Sequence, residues 1–381
     1  MIRGRTMKLI RIAALLAIVS AAGAHAQVPA LDHVVVVIME NHSYDQVRFK
    51  PYTASLIATA SACTRSYAVT HPSLPNYLAL WSGNTFGIDN DNCPADGSPF
   101  TVDNLGHACQ VAGVSWRSYC EELPTAGDPV CSTGGYRRKH APWTDFSNLD
   151  HMNERPLTDL QPDISAGNLP MLVFVVPNQC NSTHDCSVST GDTWLAGIMP
   201  TLINAVGAHG VVILTWDEDD DANGNHILTV FAGAPVKAGY SHTAYVDHYG
   251  VLRTICDALG LPPVGAAANV TPVDDIWTPV TAVGPRAADL YAVVAVVPNP
   301  FNPQTSIHFV LPRELVVSAG VYAIDGSRVV SLLDGVVFPA GENEVRWDGL
   351  DARGGRVASG VYLLRLTTTL GTRVARLVLL E

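Results

Sequence analysis

The chain has 381 residues, of which 48% are hydrophobic and 15% are charged. This length suits one large domain with a small second one, and the composition supplies a sizeable buried core and argues against global disorder. The formal net charge of −12 argues against a nucleic-acid partner, because no basic surface is available to displace the counterions of a phosphate backbone.

Residues 1–26 have the features of a signal peptide. Basic residues precede an apolar stretch that begins at Ile12, and Ala24-His25-Ala26 supplies a cleavage site with small residues on either side. The apolar stretch is well short of the roughly 20 residues that cross a bilayer, which disfavours a membrane anchor. The sequence therefore predicts an exported protein that is secreted or held at the cell surface.

All the cysteines follow this segment, and their even number in an exported chain predicts disulfide bonds. Their spacing does not fix the pairs, although Cys180 and Cys186 are close enough in the chain to close a small loop. No CxxC pair occurs, so a metal site built from cysteines is not favoured. The cysteines are Cys63, Cys93, Cys109, Cys120, Cys131, Cys180, Cys186 and Cys256.

Three continuous apolar runs predict buried strands: His33–Met39, Met171–Val176 and Val211–Trp216. Runs of β-branched residues without polar alternation are typical of strands covered by helices on both faces, so we expect an α/β fold. Ligands of such sheets bind beyond the carboxyl ends of the strands. The first and third runs lead into acidic residues, and the loop after the second carries His184 and Asp185.

Glu40 and Asn41 follow the first run, and Asp217 and Glu218 follow the third. Four oxygen-bearing side chains at one edge of a sheet suit a hard divalent cation. The alternative is that they cap helices or lie solvated in loops, which is the usual fate of acids at strand ends. Their combination favours the cation, because several uncompensated carboxylates in one place would repel one another.

A serine lies near another predicted helix. Pro75 is favoured at a first helical position and predicts a helix over Asn76–Trp81. Ser73 then lies at its N-terminus, where free backbone N–H groups favour an anion. Ser73 either caps this helix, which is the commoner role of such a serine, or is a metal-bound nucleophile that attacks phosphorus.

Histidines and one basic run can complete a site that handles phosphate. Such a site needs positive charge for the phosphate oxygens and an acid for the leaving alcohol. The short basic run Arg137–His140 either holds a phosphate or phosphoinositide headgroup or forms a solvated loop. Five histidines lie beside acids or other polar anchors: His71, His140, His184, His226 and His248.

The C-terminal part of the sequence has a different pattern. Residues 281–296 are predicted to be a linker rich in Pro, Ala and Val. Residues 297–381 contain short alternating segments separated by Gly- and Asp-containing turns, which predicts a small β-sandwich. This part lacks cysteine and any cluster of His and carboxylates, so we assign catalysis to residues 27–280.

The segments of residues 27–280 together resemble the phosphoesterase family, which contains acid phosphatases and phosphatidylcholine-type phospholipases C. That family belongs to the alkaline-phosphatase-like superfamily. Each matching segment alone is weak, but five in the family's order are specific. They are Met39–Asp45, His71–Tyr77, His184–Ser187 with Gly191-Asp192, Thr215–Asp219 and His248–Thr254.

This resemblance implies a three-layer α/β/α domain with one divalent metal ion. Ser73 would be the metal-bound nucleophile that forms a phosphoserine, and His184 would hold the phosphate or protonate the leaving group. The implied metal ligands are Glu40, Asn41, Ser73, Asp217 and Glu218. The implied catalytic residues are Ser73, His184, Asn41, Asp185 and, as weaker candidates, His71 and His248.

Within the family, the sequence resembles the mycobacterial secreted acid phosphatases that act on phosphatidylinositol 3-phosphate. Cys93 and Cys131 belong to this likeness, which implies that they pair. The segments that carry it are Gly83–Gly87, Glu122–Pro124, Arg138–Trp143 and Trp216–Asp220.

The C-terminal part resembles the immunoglobulin-like domains of flagellar hook-capping proteins and C-terminal sorting domains. This resemblance implies a module that engages export machinery or the cell surface. The matching segments are Pro298–Pro303, Trp347–Gly349 and Ser359–Tyr362.

The leading hypothesis is a secreted, metal-dependent phosphomonoesterase of the acid phosphatase type, with a phosphate monoester or a phosphoinositide as its substrate. A phospholipase C-type phosphodiesterase is the alternative among enzymes, because the same core can expel either alcohol. A catalytically inactive surface-binding protein is the alternative of another class, since a fold does not fix a function.

Overall fold

The computed structural model describes residues 28–278, 292–311, 314–324, 326–368 and 371–380. The predicted signal peptide, residues 1–26, and residues 281–291 of the predicted linker lie outside the described residues. Within the described ranges, every helix is too short or too polar to cross a membrane.

A nine-stranded sheet forms the centre of residues 28–278. The strands of this part are β1 (His33–Met39), β2 (Ser61–Tyr67), β3 (Trp116–Cys120), β4 (Ser132–Thr133), β5 (Tyr136–Arg137), β6 (Glu154–Pro156), β7 (Leu172–Val176), β8 (Gly210–Trp216), β9 (His226–Ala232), β10 (Tyr240–His242) and β11 (Val246–Asp247). The order across the sheet is β10-β2-β9-β8-β1-β7-β3-β6, with β11 also paired to β2, and β4 and β5 form a separate hairpin. Within the sheet β9 runs antiparallel to β2 and β8, and the other pairings are parallel.

Helices cover both faces of this sheet. The α-helices are α1 (Tyr44–Val47), α2 (Pro51–Thr59), α3 (Ser73–Ser82), α4 (Leu105–Ala112), α5 (Leu160–Ser165), α6 (Val188–Ala205) and α7 (His248–Leu259). The short 3-10 helices are η1 (Arg138–His140), η2 (Pro142–Asp145), η3 (His151–Asn153), η4 (Leu157–Asp159), η5 (Gly207–His209) and η6 (Gly265–Asn269).

The residues of β1 alternate between two cores. Val34 and Val36 pack in one core with residues of α3, α4 and α7. Val35 and Val37 point the other way and pack with residues of α2 and α6. Because both faces of the strand are buried, its sequence is continuously apolar. The prediction of a three-layer α/β/α domain is confirmed.

The C-terminal part folds as two antiparallel sheets around a core of its own. One sheet has the order β12-β13-β16, and the other has the order β15-β14-β17-β18. The strands are β12 (Ala292–Val297), β13 (Thr305–Leu311), β14 (Leu315–Ala323), β15 (Arg328–Phe338), β16 (Gly341–Trp347), β17 (Gly360–Thr368) and β18 (Gly371–Leu379). This arrangement confirms the predicted β-sandwich, but β12 begins within residues 281–296, which the composition had assigned to the linker.

Two disulfide bonds stabilise loops of the first part, Cys93–Cys131 and Cys180–Cys186. Both predicted pairings are confirmed. The other cysteines, Cys63, Cys109, Cys120 and Cys256, are free and buried. Burial raises the pKa of each of these thiols, so they pack as small apolar side chains.

We expect Phe174→Ala to destabilise the protein by about 3–5 kcal/mol, because it removes a large side chain from a close-packed core. Phe174 is 1% exposed, and its ring lies 5.3 Å from the ring of Trp81 and 5.7 Å from that of Trp143. Phe49→Ala is the matched control, since Phe49 is 70% exposed and its loss should change the free energy of unfolding by about 0.5 kcal/mol or less. Urea unfolding measures both, and equal effects would contradict the assignment of the core.

Candidate active site

The candidate site lies at the carboxyl ends of two neighbouring strands. Met39 at the end of β1 pairs with Trp216 at the end of β8, so the acidic residues that follow lie side by side. The backbone N–H of Asp217 donates to the carbonyl of Met39 at 2.9 Å, and that of Asn41 donates to Asp217 Oδ1 at 3.1 Å. Asn41 has a φ of 54°, a left-handed conformation that asparagine tolerates better than most residues.

Ser73 reaches the same place from α3. The helix begins at Ser73, three residues before the predicted start, and Pro72 occupies the capping position without a side-chain hydrogen bond. The free N–H of Leu74 donates instead to Asp91 Oδ1 at 2.9 Å. The alternative in which Ser73 caps the helix is therefore wrong. Pro75 is accommodated in the first turn because the N–H groups there have no partner within the helix.

Each of the three carboxylates has one oxygen bonded to a group other than Ser73. Glu40 Oε1 accepts a hydrogen bond from the Tyr77 hydroxyl. Glu218 Oε2 lies 2.7 Å from Nδ1 of His71. Asp217 Oδ1 accepts two backbone N–H groups, at 3.1 and 2.7 Å. These bonds fix how the carboxylates are oriented.

The second oxygen of each carboxylate is left for the centre of the site. Glu218 Oε1 lies 3.1 Å from Ser73 Oγ, and Glu40 Oε2 lies 3.4 Å from it. Asp217 Oδ2 and Asn41 Oδ1 are buried and have no hydrogen-bond partner among the described residues. The structure thus brings together all five predicted metal ligands, with the serine hydroxyl between carboxylates.

Burial makes the negative charge of this cluster costly. Glu40, Asp217 and Glu218 are 0%, 2% and 5% exposed, and burial raises the pKa of all three. The neighbouring Asp217 carboxylate raises the pKa of Glu40 and Glu218 further, and that of Glu218 reaches about 9. Lys139 partly offsets this charge and lowers the pKa of Glu40 and Glu218, although its Nζ lies 2.6 Å from Asp91. A bound cation would favour all the ionised forms.

The donor atoms fit a hard divalent cation. Carboxylate, amide and hydroxyl oxygens are the ligands that Mg²⁺, Ca²⁺ and Mn²⁺ prefer, and two of the oxygens are buried without a partner among the described residues. Among the described residues, no three side chains of the types His, Cys, Asp and Glu lie as close together as a bound ion requires. Two of the five predicted metal ligands, Asn41 and Ser73, are not among these four residue types.

Of the basic run Arg137–His140, His140 is buried in the site, so for this residue the alternative of a solvated loop is wrong. His140 is 1% exposed, and its Nε2 lies 3.2 Å from Glu40 Oε2, without the alignment of a hydrogen bond. Its ring stacks on Tyr77, with ring centroids 5.0 Å apart. Burial, followed by the nearby charge of Lys139, lowers the pKa of His140 well below its usual value.

The other predicted histidines differ in how they are placed relative to the carboxylate cluster. The ring of His184 is 6.4 Å from that of His140, and its Nδ1 lies 2.7 Å from Asp185 Oδ1. His248 is buried, and its Nε2 lies 2.6 Å from the backbone carbonyl of Asp217, which it supports without touching the free carboxylate oxygens. Outside the cluster, His226 stacks between the rings of two tyrosines.

Sequence analysis missed several side chains around the cluster. Asn76 and Tyr77 follow Ser73 by three and four residues on α3 and contact Glu218 and Glu40 respectively. Side chains at these spacings share one helix face, and this signal was available once Ser73 was singled out. Asp91, which bonds both the start of α3 and Lys139, has no signal in the sequence, because only folding brings its loop to the helix.

The chain is similar to several known proteins. The Phosphoesterase family matches residues 49–262, which is more than half of the chain. A phosphatidylinositol-3-phosphatase from Mycobacterium tuberculosis is 40% identical over 254 residues, which cover 65% of this chain and 84% of that protein. A phosphate-repressible acid phosphatase from Penicillium chrysogenum is 27% identical over 252 residues, covering 62% of this chain and 61% of that protein. The chain therefore spans less than two thirds of the length of the Penicillium enzyme.

Solved structures also align with part of this chain. A protein in the alkaline phosphatase superfamily from Vibrio parahaemolyticus aligns with 83% of this chain and 84% of its own, at 10% identity and a TM-score of 0.49.

Without a divalent cation, we expect the free energy of unfolding to fall as pH rises. The pKa of Glu218 is about 9 in the folded chain against an ordinary value of 4.5, so stability from its protonated form is present at low pH and lost as pH rises towards 9. A cation binds the ionised carboxylates, so the stabilisation that it adds should increase as pH rises over the same range. Urea unfolding at about pH 5 and about pH 8, with chelator or with Mn²⁺, measures this difference.

Glu218→Gln is the control for this titration, because the amide cannot ionise and should flatten the pH dependence. A stabilisation by Mn²⁺ that is equal at both pH values would contradict the assignment of these carboxylates to the cation.

Proposed function

This chain belongs to the phosphoesterase family, and from that premise we propose that it is a metal-dependent phosphomonoesterase of the acid phosphatase type. Its relatives are named phosphatases, which confirms the predicted class of phosphoric monoester hydrolase. The observation that carries the proposal is the position of Ser73, whose hydroxyl lies 3.1 Å from Glu218 Oε1 and 3.4 Å from Glu40 Oε2 at the start of a helix.

In the proposed reaction Ser73 Oγ forms a bond to phosphorus while the bond from phosphorus to the alcohol oxygen breaks. Water then hydrolyses the phosphoserine, which releases phosphate and restores the hydroxyl. The proton that the serine loses in the first step is balanced by the proton that the leaving alcohol gains. A bound divalent cation would supply the positive charge that favours the serine alkoxide and the phosphate oxygens.

His184 is proposed to hold the phosphate or protonate the leaving alcohol. Its Nδ1 is 2.7 Å from Asp185 Oδ1, an arrangement that orients the ring and leaves Nε2 for the substrate. The loop that carries it is closed by the Cys180–Cys186 disulfide. His140 adds a second ring to the site, with its Nε2 3.2 Å from Glu40 Oε2.

The proposed substrates are phosphate monoesters, including a phosphoinositide phosphorylated at the 3-position. The support is the 40% identity to a protein named phosphatidylinositol-3-phosphatase, together with the basic side chain of Lys139 beside the cluster. A phospholipase C-type phosphodiesterase remains the alternative, because the same nucleophile can expel diacylglycerol from a phosphodiester.

Export of the protein is part of this proposal. It is supported by the features of residues 1–26 and by the two disulfide bonds, which persist in oxidising compartments. The β-sandwich of residues 297–381 is proposed to engage export machinery or the cell surface.

We expect Ser73→Ala to lower the rate of phosphate release from p-nitrophenyl phosphate by roughly 10³-fold or more, because the variant lacks the hydroxyl that attacks phosphorus. Ser82→Ala is the matched control: Ser82 is a buried serine on the same helix, and its hydroxyl donates to the carbonyl of Leu78 at 2.8 Å. Steady-state kinetics with Mn²⁺ present compares the two variants. Near-normal turnover by Ser73→Ala would show that Ser73 is not the nucleophile.

The two substrate classes are separated by their products. Incubation with phosphatidylinositol 3-phosphate should release inorganic phosphate, whereas phosphatidylcholine should remain intact. Colorimetric phosphate analysis and chromatography of the lipids measure both. Diacylglycerol formed from phosphatidylcholine, without phosphate from the phosphoinositide, would favour the phosphodiesterase instead.

A further inference from the structure

Tyr77 and Glu40 form a buried pair beside Ser73. The Tyr77 hydroxyl donates a hydrogen bond to Glu40 Oε1, and the two residues are 2% and 0% exposed. The other carboxylate oxygen, Glu40 Oε2, lies 3.4 Å from Ser73 Oγ and 3.2 Å from His140 Nε2. One oxygen of Glu40 is thus bonded to the tyrosine, and the other faces the centre of the site.

The position of Tyr77 in the chain links this pair to the nucleophile. Tyr77 follows Ser73 by four residues on α3, and side chains four residues apart lie on the same helix face. The ring of Tyr77 also stacks on His140, with an angle of 18° between the planes. The helix α3, which begins with Ser73, therefore also orients Glu40 and His140 through Tyr77.

We propose that Tyr77 is a positioning residue that restricts Glu40 to binding the divalent cation through one oxygen. A free glutamate can bind a cation with one or both oxygens, and a hydroxyl bonded to Oε1 occupies a lone pair of that oxygen and leaves Oε2 facing the cation. Partners of ligating carboxylates typically contribute roughly 10–100-fold to metal affinity. The inference rests on the cation site of the proposed function, so its experiment measures cation binding apart from activity.

The chain contains a matched control for this pair. Tyr136 donates to Glu154 Oε1 at 2.9 Å, and these two residues are 2% and 0% exposed. Tyr77→Phe and Tyr136→Phe each remove one hydroxyl from a buried tyrosine–glutamate pair, so each should lower stability by a comparable amount. Only Glu40 belongs to the donor set around Ser73, so only Tyr77→Phe should change cation binding.

The experiment is calorimetric titration of the chelator-treated full chain with Mn²⁺, with thermal melting in chelator to verify that each variant folds. We expect the dissociation constant for Mn²⁺ to rise roughly tenfold or more in Tyr77→Phe and to stay within roughly twofold of wild type in Tyr136→Phe. In a Glu40→Gln background, Tyr77→Phe should add no further loss, because the hydroxyl acts through that carboxylate.

An unchanged dissociation constant in Tyr77→Phe would overturn the inference, as would equal losses in the two variants. A Tyr77→Phe protein that does not fold, while Tyr136→Phe does, would also overturn it, since the hydroxyl would then serve the fold. If the wild-type chain binds none of Mn²⁺, Mg²⁺ and Ca²⁺, the cation site of the proposed function fails, and the inference fails with it.

Discussion

The burial of three neighbouring carboxylates is the constraint on which this site depends. Glu40, Asp217 and Glu218 share a space from which water is largely excluded, and each has a raised pKa. Ionised carboxylates in such a place need a positive partner, and Lys139 is already paired with Asp91. The cluster is therefore stable either with protons or with a cation. The stability of the protein and the proposed chemistry of Ser73 therefore both depend on whether protons or a cation occupy the cluster, and so on pH.

The fold brings these groups together through ordinary features of an α/β sheet. The parallel pairing of β1 with β8 places two acidic strand ends next to each other, and α3 brings the serine to them from the neighbouring layer. The loop after β7 adds His184, and the backbone carbonyl of Ser182 in that loop accepts a hydrogen bond from the N–H of Glu40. The two strands belong to the buried sheet, α3 is buried over its whole length, and the loop that carries His184 is closed by a disulfide bond.

Much of this arrangement could be predicted because it depends on local patterns. A continuously apolar strand such as His33–Met39 indicates a covered sheet, and the residues after such strands indicate where a ligand binds. The pairing of Cys93 with Cys131 came from a family resemblance. The start of α3 was misplaced, because Pro75 favours a first helical position but is also tolerated deeper in the first turn.

Contacts between distant segments could not be predicted in the same way. The sequence gives no reason for His140 to be buried against Glu40 rather than solvated in its basic run, since the contact depends on how η1 packs on α3. The link from Tyr77 to Glu40 likewise needs the relative placement of a helix and a strand 37 residues apart in the chain. Side-chain chemistry suggested the kind of site, but the tertiary packing determined which histidine and which tyrosine contact it.

The most direct measurement is an anomalous diffraction map from crystals of the chain soaked in Mn²⁺. The account predicts one strong peak roughly 2.0–2.6 Å from oxygens of Glu40, Asp217 and Glu218, with Ser73 Oγ beside it. A peak only at some other place on the surface, with none beside these carboxylates, would contradict it.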